Sequence, residues 1–178
     1  QVTSLLEDRE GAVWIGTLGT GLARFQAGQF QVFTTANGLA GNAVNALLPD
    51  SRNNLWIGTD GGLSFYNGQT FTNYTVGKGR LPANTVRALF RDRTGLLWIG
   101  TDGGVVRYDG ALWSTLNERD GLTSSRVVTI DQTPDGAMWF GTDKGITRYQ
   151  PPAATPPPPT LTVRLDQDHT DLQNIPKI

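Results

Sequence analysis

The sequence predicts an all-β chain made of β-propeller blades, and three observations carry that expectation. Trp14, Trp56, Trp98 and Trp139 recur at spacings of 42, 42 and 41 residues. Each stands in one phrase, from VWIGTLGTGLARF through LWIGTDGGLSFY and LWIGTDGGVVRY to MWFGTDKGITRY. Around each tryptophan recur short segments rich in β-branched and aromatic residues, bounded by Gly, Asn or Asp. A period near forty with an aromatic anchor marks a repeat architecture, in which one unit cannot bury its own apolar faces.

The first segment of each repeat carries Val2 and Leu5, Val44 and Leu47, Val86 and Leu89, or Val127 and Ile130. The second is the WIGT run, in which Gly16, Gly58, Gly100 and Gly141 accompany the tryptophans as structural anchors. The third ends at Phe25, Tyr66, Tyr108 or Tyr149, and the fourth is anchored by Phe30, Phe71 or Trp113. Four strands per 42 residues make one antiparallel meander, which is one blade. Neighbours within Leu55-Trp56-Ile57 and Leu97-Trp98-Ile99 point to opposite faces, yet both faces are apolar. A sheet sandwiched between two others requires that; a sheet with one wet side would alternate. The repeats fall at about 1–36, 37–78, 79–119 and 120–150.

Turn chemistry agrees. Gly11, Asn53, Gly95 and Gly136 stand in register ahead of the tryptophans, and Asn in a glycine column predicts a positive φ. Asp60-Gly61-Gly62 and Asp102-Gly103-Gly104 suit a tight connection from second to third strand. Asp8, Asp50 and Asp92 recur just after the first strand, where a carboxylate can accept backbone N–H groups of the turn.

The phrase WIGTDGGLxxY, preceded by NxVxALxxDxxGxLW, resembles the two-component regulator propeller repeat over roughly residues 1–150. The resemblance implies a sensory propeller of a bacterial membrane-anchored signalling protein, lying in the periplasm or otherwise outside the cytoplasm. It also implies rings of seven blades followed by a small β-sandwich. The fourth repeat departs from the pattern and is similar to blades of streptogramin-type lyases, enzymes that use a channel histidine and a metal. Repeats without any histidine argue against that enzymatic alternative. A purely structural, protein-interaction module is the third possibility.

The fourth repeat stops after its third strand at Tyr149, so its outer strand is expected to be missing. If each blade turns by about 51°, four blades cover only roughly 200°. Two apolar faces are then left bare. Missing neighbours in a longer protein, pairing of two copies into about eight blades, or a tight four-bladed ring would each resolve this. The expectation is a partial propeller completed by self-association, a homo-oligomer through its open blade edges. The opening Gln1, without a leader, fits a piece of a longer chain. Residues 151–160 read as a Pro-rich, polyproline II linker. Within 161–178, the alternating run LTVRL begins a following β-sandwich or swings back as the absent outer strand of blade four or of a partner's blade.

Composition excludes several chemistries. A net charge of −1 offers no basic excess for nucleic acid, and the absence of cysteine removes disulfides and thiolate chemistry. His169, in DQDHTD, reads as part of a solvated turn rather than a metal site, and no serine or threonine in the repeats has a histidine partner. GTDGG lacks the lysine and helix of a phosphate loop. No catalytic residue, metal or cofactor is therefore expected. The repeated tryptophans read as core rather than sugar-stacking platforms, whereas Trp113 in the outer strand is expected to be partly exposed.

A ligand is expected at one end of the central channel, where the loops 37–43, 79–85 and 120–126 converge with the turns bearing Asp60, Asp102, Asp143 and Lys144. Asn42, Asn84 and Ser125 recur there as turn caps. One residue after the first-strand valine, the repeats differ: Thr3, Asn45, Arg87 and Val128. Function must break the symmetry that structure imposes. Asn45, Arg87 and the nearby Arg126 are thus the candidates for binding a small molecule or protein partner.

Overall fold

A computed structural model describes residues 1–151 and, as backbone, 162–164. It contains four antiparallel four-stranded sheets. The first blade comprises β1 (Val2–Glu7), β2 (Val13–Thr17), β3 (Leu22–Gln26) and β4 (Gln29–Phe33). The second has β5 (Val44–Pro49), β6 (Leu55–Thr59), β7 (Leu63–Tyr66) and β8 (Phe71–Tyr74). The third has β9 (Val86–Arg91), β10 (Leu97–Thr101), β11 (Gly104–Tyr108) and β12 (Trp113–Leu116). The fourth has β13 (Val127–Gln132), β14 (Met138–Thr142), β15 (Gly145–Tyr149) and β16 (Thr162–Arg164).

The last strand corrects an expectation. Blade four does not lack its outer strand: Thr162 pairs with Tyr149, Val163 with Arg148 and Arg164 with Thr147. Of the roles open to the LTVRL segment, the structure takes the returning strand of blade four. The physical reason is the unpaired edge that β15 would otherwise present. The remainder of the proposed linker and tail, including His169, lies outside the described residues.

The blades stack in chain order through their inner strands, β1 on β5, β5 on β9 and β9 on β13. Large apolar residues remain exposed on the first and last sheets, so the array is open and the tight four-bladed ring is not formed. Three core clusters fill the three junctions. Trp14 and Leu22 of blade one pack with Leu55 and Ile57 of blade two. Trp56 and Leu63 meet Leu97 and Ile99, and Trp98 and Val105 meet Met138 and Phe140. Trp14, Trp56 and Trp98 are buried, as the core reading requires, but Trp139 is only half-buried, because no blade covers it. Trp113 is half-buried, stacked on Tyr108 with centroids 4.3 Å apart.

The turns explain the recurring aspartates. Asp8 Oδ1 accepts from the amides of Glu10 and Ala12 at 2.9 and 3.0 Å, while its Oδ2 accepts from the Trp14 indole at 2.8 Å. Asp92 repeats this with Thr94, Leu96 and Trp98. In blade two Asn54 takes the indole's place on Asp50, and in blade four Thr133 replaces the carboxylate. Each turn closes on a left-handed residue, and Asn53 adopts φ 65° within the glycine column.

Gly16, Gly58 and Gly100 are fixed by close approach between blades, whereas Gly141 meets only Thr129 of its own blade. A Cβ on Gly16 would come within 2.8 Å of Val44, and one on Gly58 within 2.7 Å of Val86. One on Gly100 would stand 3.1 Å from Val127. Val44, Val86 and Val127 each thus sit on the glycine of the blade before.

Candidate functional site at the loop end of the channel

Each loop leading into an inner strand opens with a one-turn 3₁₀ helix: Thr35–Asn37, Val76–Lys78 and Glu118–Asp120. Each turn ends on a left-handed glycine, Gly38, Gly79 or Gly121. Asn42 Oδ1 accepts from the Thr35 amide and Asn84 Oδ1 from the Val76 amide, both at 2.9 Å. These are the caps expected of the two asparagines. In the next loop the polarity reverses, for Ser125 donates its backbone amide to Glu118 Oε1 at 2.9 Å. The strand-two to strand-three turns lie against these loops: the Asp60 amide donates to Ala43 O at 3.0 Å, and the Asp102 amide to Thr85 O at 3.2 Å.

The positions where the repeats differ prove to be β-bulges. In every blade the strand register shifts between the inner valine and the second residue after it, skipping Thr3, Asn45, Arg87 or Val128. A bulged residue has no direct cross-strand partner, so its side chain is free to be re-aimed. Thr3 donates to the carbonyl of Val44, and Asn45 Nδ2 to that of Val86 at 2.9 Å. Both bonds tie one blade to the next. Asn45 is therefore engaged in the junction between blades two and three.

Arg87 does something different. Its guanidinium forks onto Asp102, Nε to Oδ1 and Nη2 to Oδ2 at 2.9 Å. Arg126, from the loop entering blade four, brings its Nε to 3.5 Å from the same Oδ1. The hydrogen bond from Arg87 holds the Asp102 carboxyl below its ordinary range, against the opposing effect of burial. The same bond raises the Arg87 pKa. Asp102 thus holds Arg87 by two contacts, while Arg126 is half-exposed and held by a long ion pair. Guanidinium donors not used in these contacts suit the planar fork of a carboxylate or a phosphoryl oxygen.

At the other end of the inner strands lies an open groove of about 320 Å³. It is lined by residues of three blades, including Glu7, Arg9, Pro49, Asp50, Asn53 and Arg91. Arg9 crosses between blades, Nη1 donating to Ser51 O at 2.8 Å. Sequence reasoning missed this groove because it looked only at the loop end. The signal was present: Glu7, Pro49, Arg91 and Gln132 occupy one repeat position and differ in every copy. Among the described residues, no group of three or more His, Cys, Asp and Glu side chains is placed to hold a metal ion.

Comparison with known proteins places this geometry. The chain is similar to the extracellular domain of the putative hybrid two-component system BT3049 from B. thetaiotaomicron, with 26% identity and a TM-score of 0.75. That match covers 84% of this chain but 21% of the other. It is also similar to the extracellular domain of the putative hybrid system BT4673 from the same organism. There the identity is 24% and the TM-score 0.74, over 84% of this chain and 24% of that one. The chain therefore spans about a quarter or less of these relatives. Virginiamycin B lyase from Staphylococcus aureus shares the fold at 17% identity and a TM-score of 0.61, over 85% of this chain and 56% of the lyase. No curated protein sequence matches. The two-component regulator propeller repeat matches residues 1–19, 38–61, 80–103 and 121–144, one stretch in each blade, and the chain belongs to that family.

Proposed function

We propose that the chain is a non-enzymatic sensory segment of a bacterial signal-transduction protein, lying outside the cytoplasm in a membrane-anchored whole. It binds an acidic small molecule, or an acidic group of a protein partner, at the loop end of the channel. The observation that carries this is the Arg87–Asp102–Arg126 cluster, which has no counterpart in the other junctions. At the equivalent bulge, blades one and two spend Thr3 and Asn45 on a neighbour's backbone carbonyl. Blade three instead builds a charge pair that anchors one arginine and leaves its neighbour's donors open. Kinship with extracellular domains of two-component systems supports the location and the sensory role. Repeats without histidine support binding over catalysis.

A thermal-shift screen of uronic acids, dicarboxylates and phosphorylated sugars tests the proposal. Saturable stabilisation by one of these classes is expected, and Arg126→Ala should weaken it at least tenfold without moving the unliganded melting temperature. An identical response in Arg126→Ala and Arg87→Ala variants would remove the arginine cluster as the site.

A further inference from the structure

Two columns of the repeat meet at the loop end of each blade. The turn from second to third strand opens with Leu18 in blade one and with Asp60, Asp102 or Asp143 in the others. The bulge carries Thr3, Asn45, Arg87 or Val128. Only in blade three do the two positions hold opposite charges.

Asp102 is held from three directions. Its backbone amide donates to Thr85 O at 3.2 Å, the Thr85 hydroxyl bonds its carboxylate, and Arg87 forks onto both carboxylate oxygens. Arg126, from the loop entering the next blade, brings its Nε to 3.5 Å from the same group. One fixed carboxylate therefore stands between two guanidiniums.

Charge at this site is nearly balanced. Arg87 and Arg126 bring two positive charges, and Asp102 removes one. Asp143, whose charge acts on Arg87, is followed directly by Lys144, so that turn adds nothing to the sum. The 3₁₀ turn ahead of Arg126 carries Arg119 between Glu118 and Asp120, both of which accept backbone amides. The Arg126 side chain is 49% exposed, against 28% for Arg87. An incoming acid thus meets one open cation with a fixed anion behind it. A single negative charge can take the terminal nitrogens of Arg126 while Asp102 keeps the Nε side. A second negative charge finds no second open cation, and it lies close enough to Asp102 to be repelled.

We infer that Asp102 sets the charge of the ligand: the site accepts a singly charged carboxylate and disfavours a doubly charged phosphoryl group. This rests on the reading of the arginine cluster as the binding site. Asp102 is a positioning residue, acting on the ligand through the two arginines and through its own field.

Glucuronate and glucose 6-phosphate, which share a pyranose ring, test the inference by titration calorimetry at about pH 5 and about pH 8. A phosphomonoester passes from one negative charge to two near about pH 6, whereas a sugar carboxylate stays singly charged over this interval. The cluster keeps its own charges there. The Arg87–Asp102 bond lowers the pKa of the acid and raises that of the base, and the repeats hold no histidine. Glucuronate should bind equally well at both pH values, while glucose 6-phosphate should bind about tenfold more weakly at the higher one. Asp102→Asn should abolish that fall, with circular dichroism to check the fold; if this variant does not fold, the pH profile of the parent chain decides. Tighter binding of glucose 6-phosphate at the higher pH in the parent chain overturns the inference and leaves the arginine site standing. An undiminished fall in folded Asp102→Asn overturns it as well. If neither sugar acid binds, or Arg126→Ala changes nothing, the reading beneath it fails too.

Discussion

The middle junctions and the fourth blade's open side carry nearly the same phrase in different surroundings. Trp98 in LWIGTDGGVVRY is fully buried between blades three and four, while Trp139 in MWFGTDKGITRY is half-buried on an end face. The local strand pairing is the same in both. What differs is the neighbour. In a repeat array of this kind, the stabilising burial belongs to the interface between units and not to the unit.

The largest expected difference comes from truncating the two indoles. Trp98→Ala should cost about 3–5 kcal/mol in urea unfolding, because it removes the centre of a closed cluster. Trp139→Ala, on the open side of blade four, should cost about 1 kcal/mol or less. Equal losses would break the comparison.

The turn carboxylates give a smaller contrast. Asp92→Ala strands the Trp98 indole and the amides of Thr94 and Leu96, and should cost about 2–3 kcal/mol. Thr133→Ala loses the weaker indole bond of blade four, 3.1 Å long, and should cost about 1 kcal/mol. The same unfolding curves read both.

Adding a methyl group probes the junction from the other side. Gly58→Ala would drive a Cβ into Val86 and should cost about 1–3 kcal/mol. Gly141→Ala meets only Thr129 of its own blade, an exposed residue that can turn away, so its cost should be smaller.

The smallest effect is a titration at the open end. Hydrogen bonds from the Thr133 hydroxyl and the Ala137 amide, with Arg148 beside them, hold the Asp135 carboxyl down to about 2 from an ordinary 3.8. Because the folded value is depressed, the stabilisation is complete above the ordinary value and is lost as pH falls through about 2. Carboxyl carbon NMR should show that midpoint, and Arg148→Ala should move it upward.

Most of this architecture was legible because it repeats. Four copies let the tryptophan, glycine and aspartate columns be read against one another, and the φ of Asn53 followed from its column alone. The indole bonds of Asp8 and Asp92 were not legible. A carboxylate and a tryptophan six residues apart reveal their contact only once the turn folds back. The candidate site was half legible. The column holding Asn45 and Arg87 was identifiable as asymmetric, but not as a bulge, because a bulge is a register relation between two strands. The partnership of Arg87 and Arg126 through Asp102 joins two blades and three separate segments, which no local pattern encodes. The returning strand at 162–164 was one of three stated options; choosing among them required knowing that an edge was available.

Hydrogen exchange followed by mass spectrometry tests lateral stacking most directly. Strands β6 and β10, each enclosed by a blade on either side, should be protected longest. Strands β2 and β14 should exchange at least tenfold faster despite equivalent hydrogen bonding. Uniform protection across all four blades, or slowest exchange at the two ends, would contradict the account.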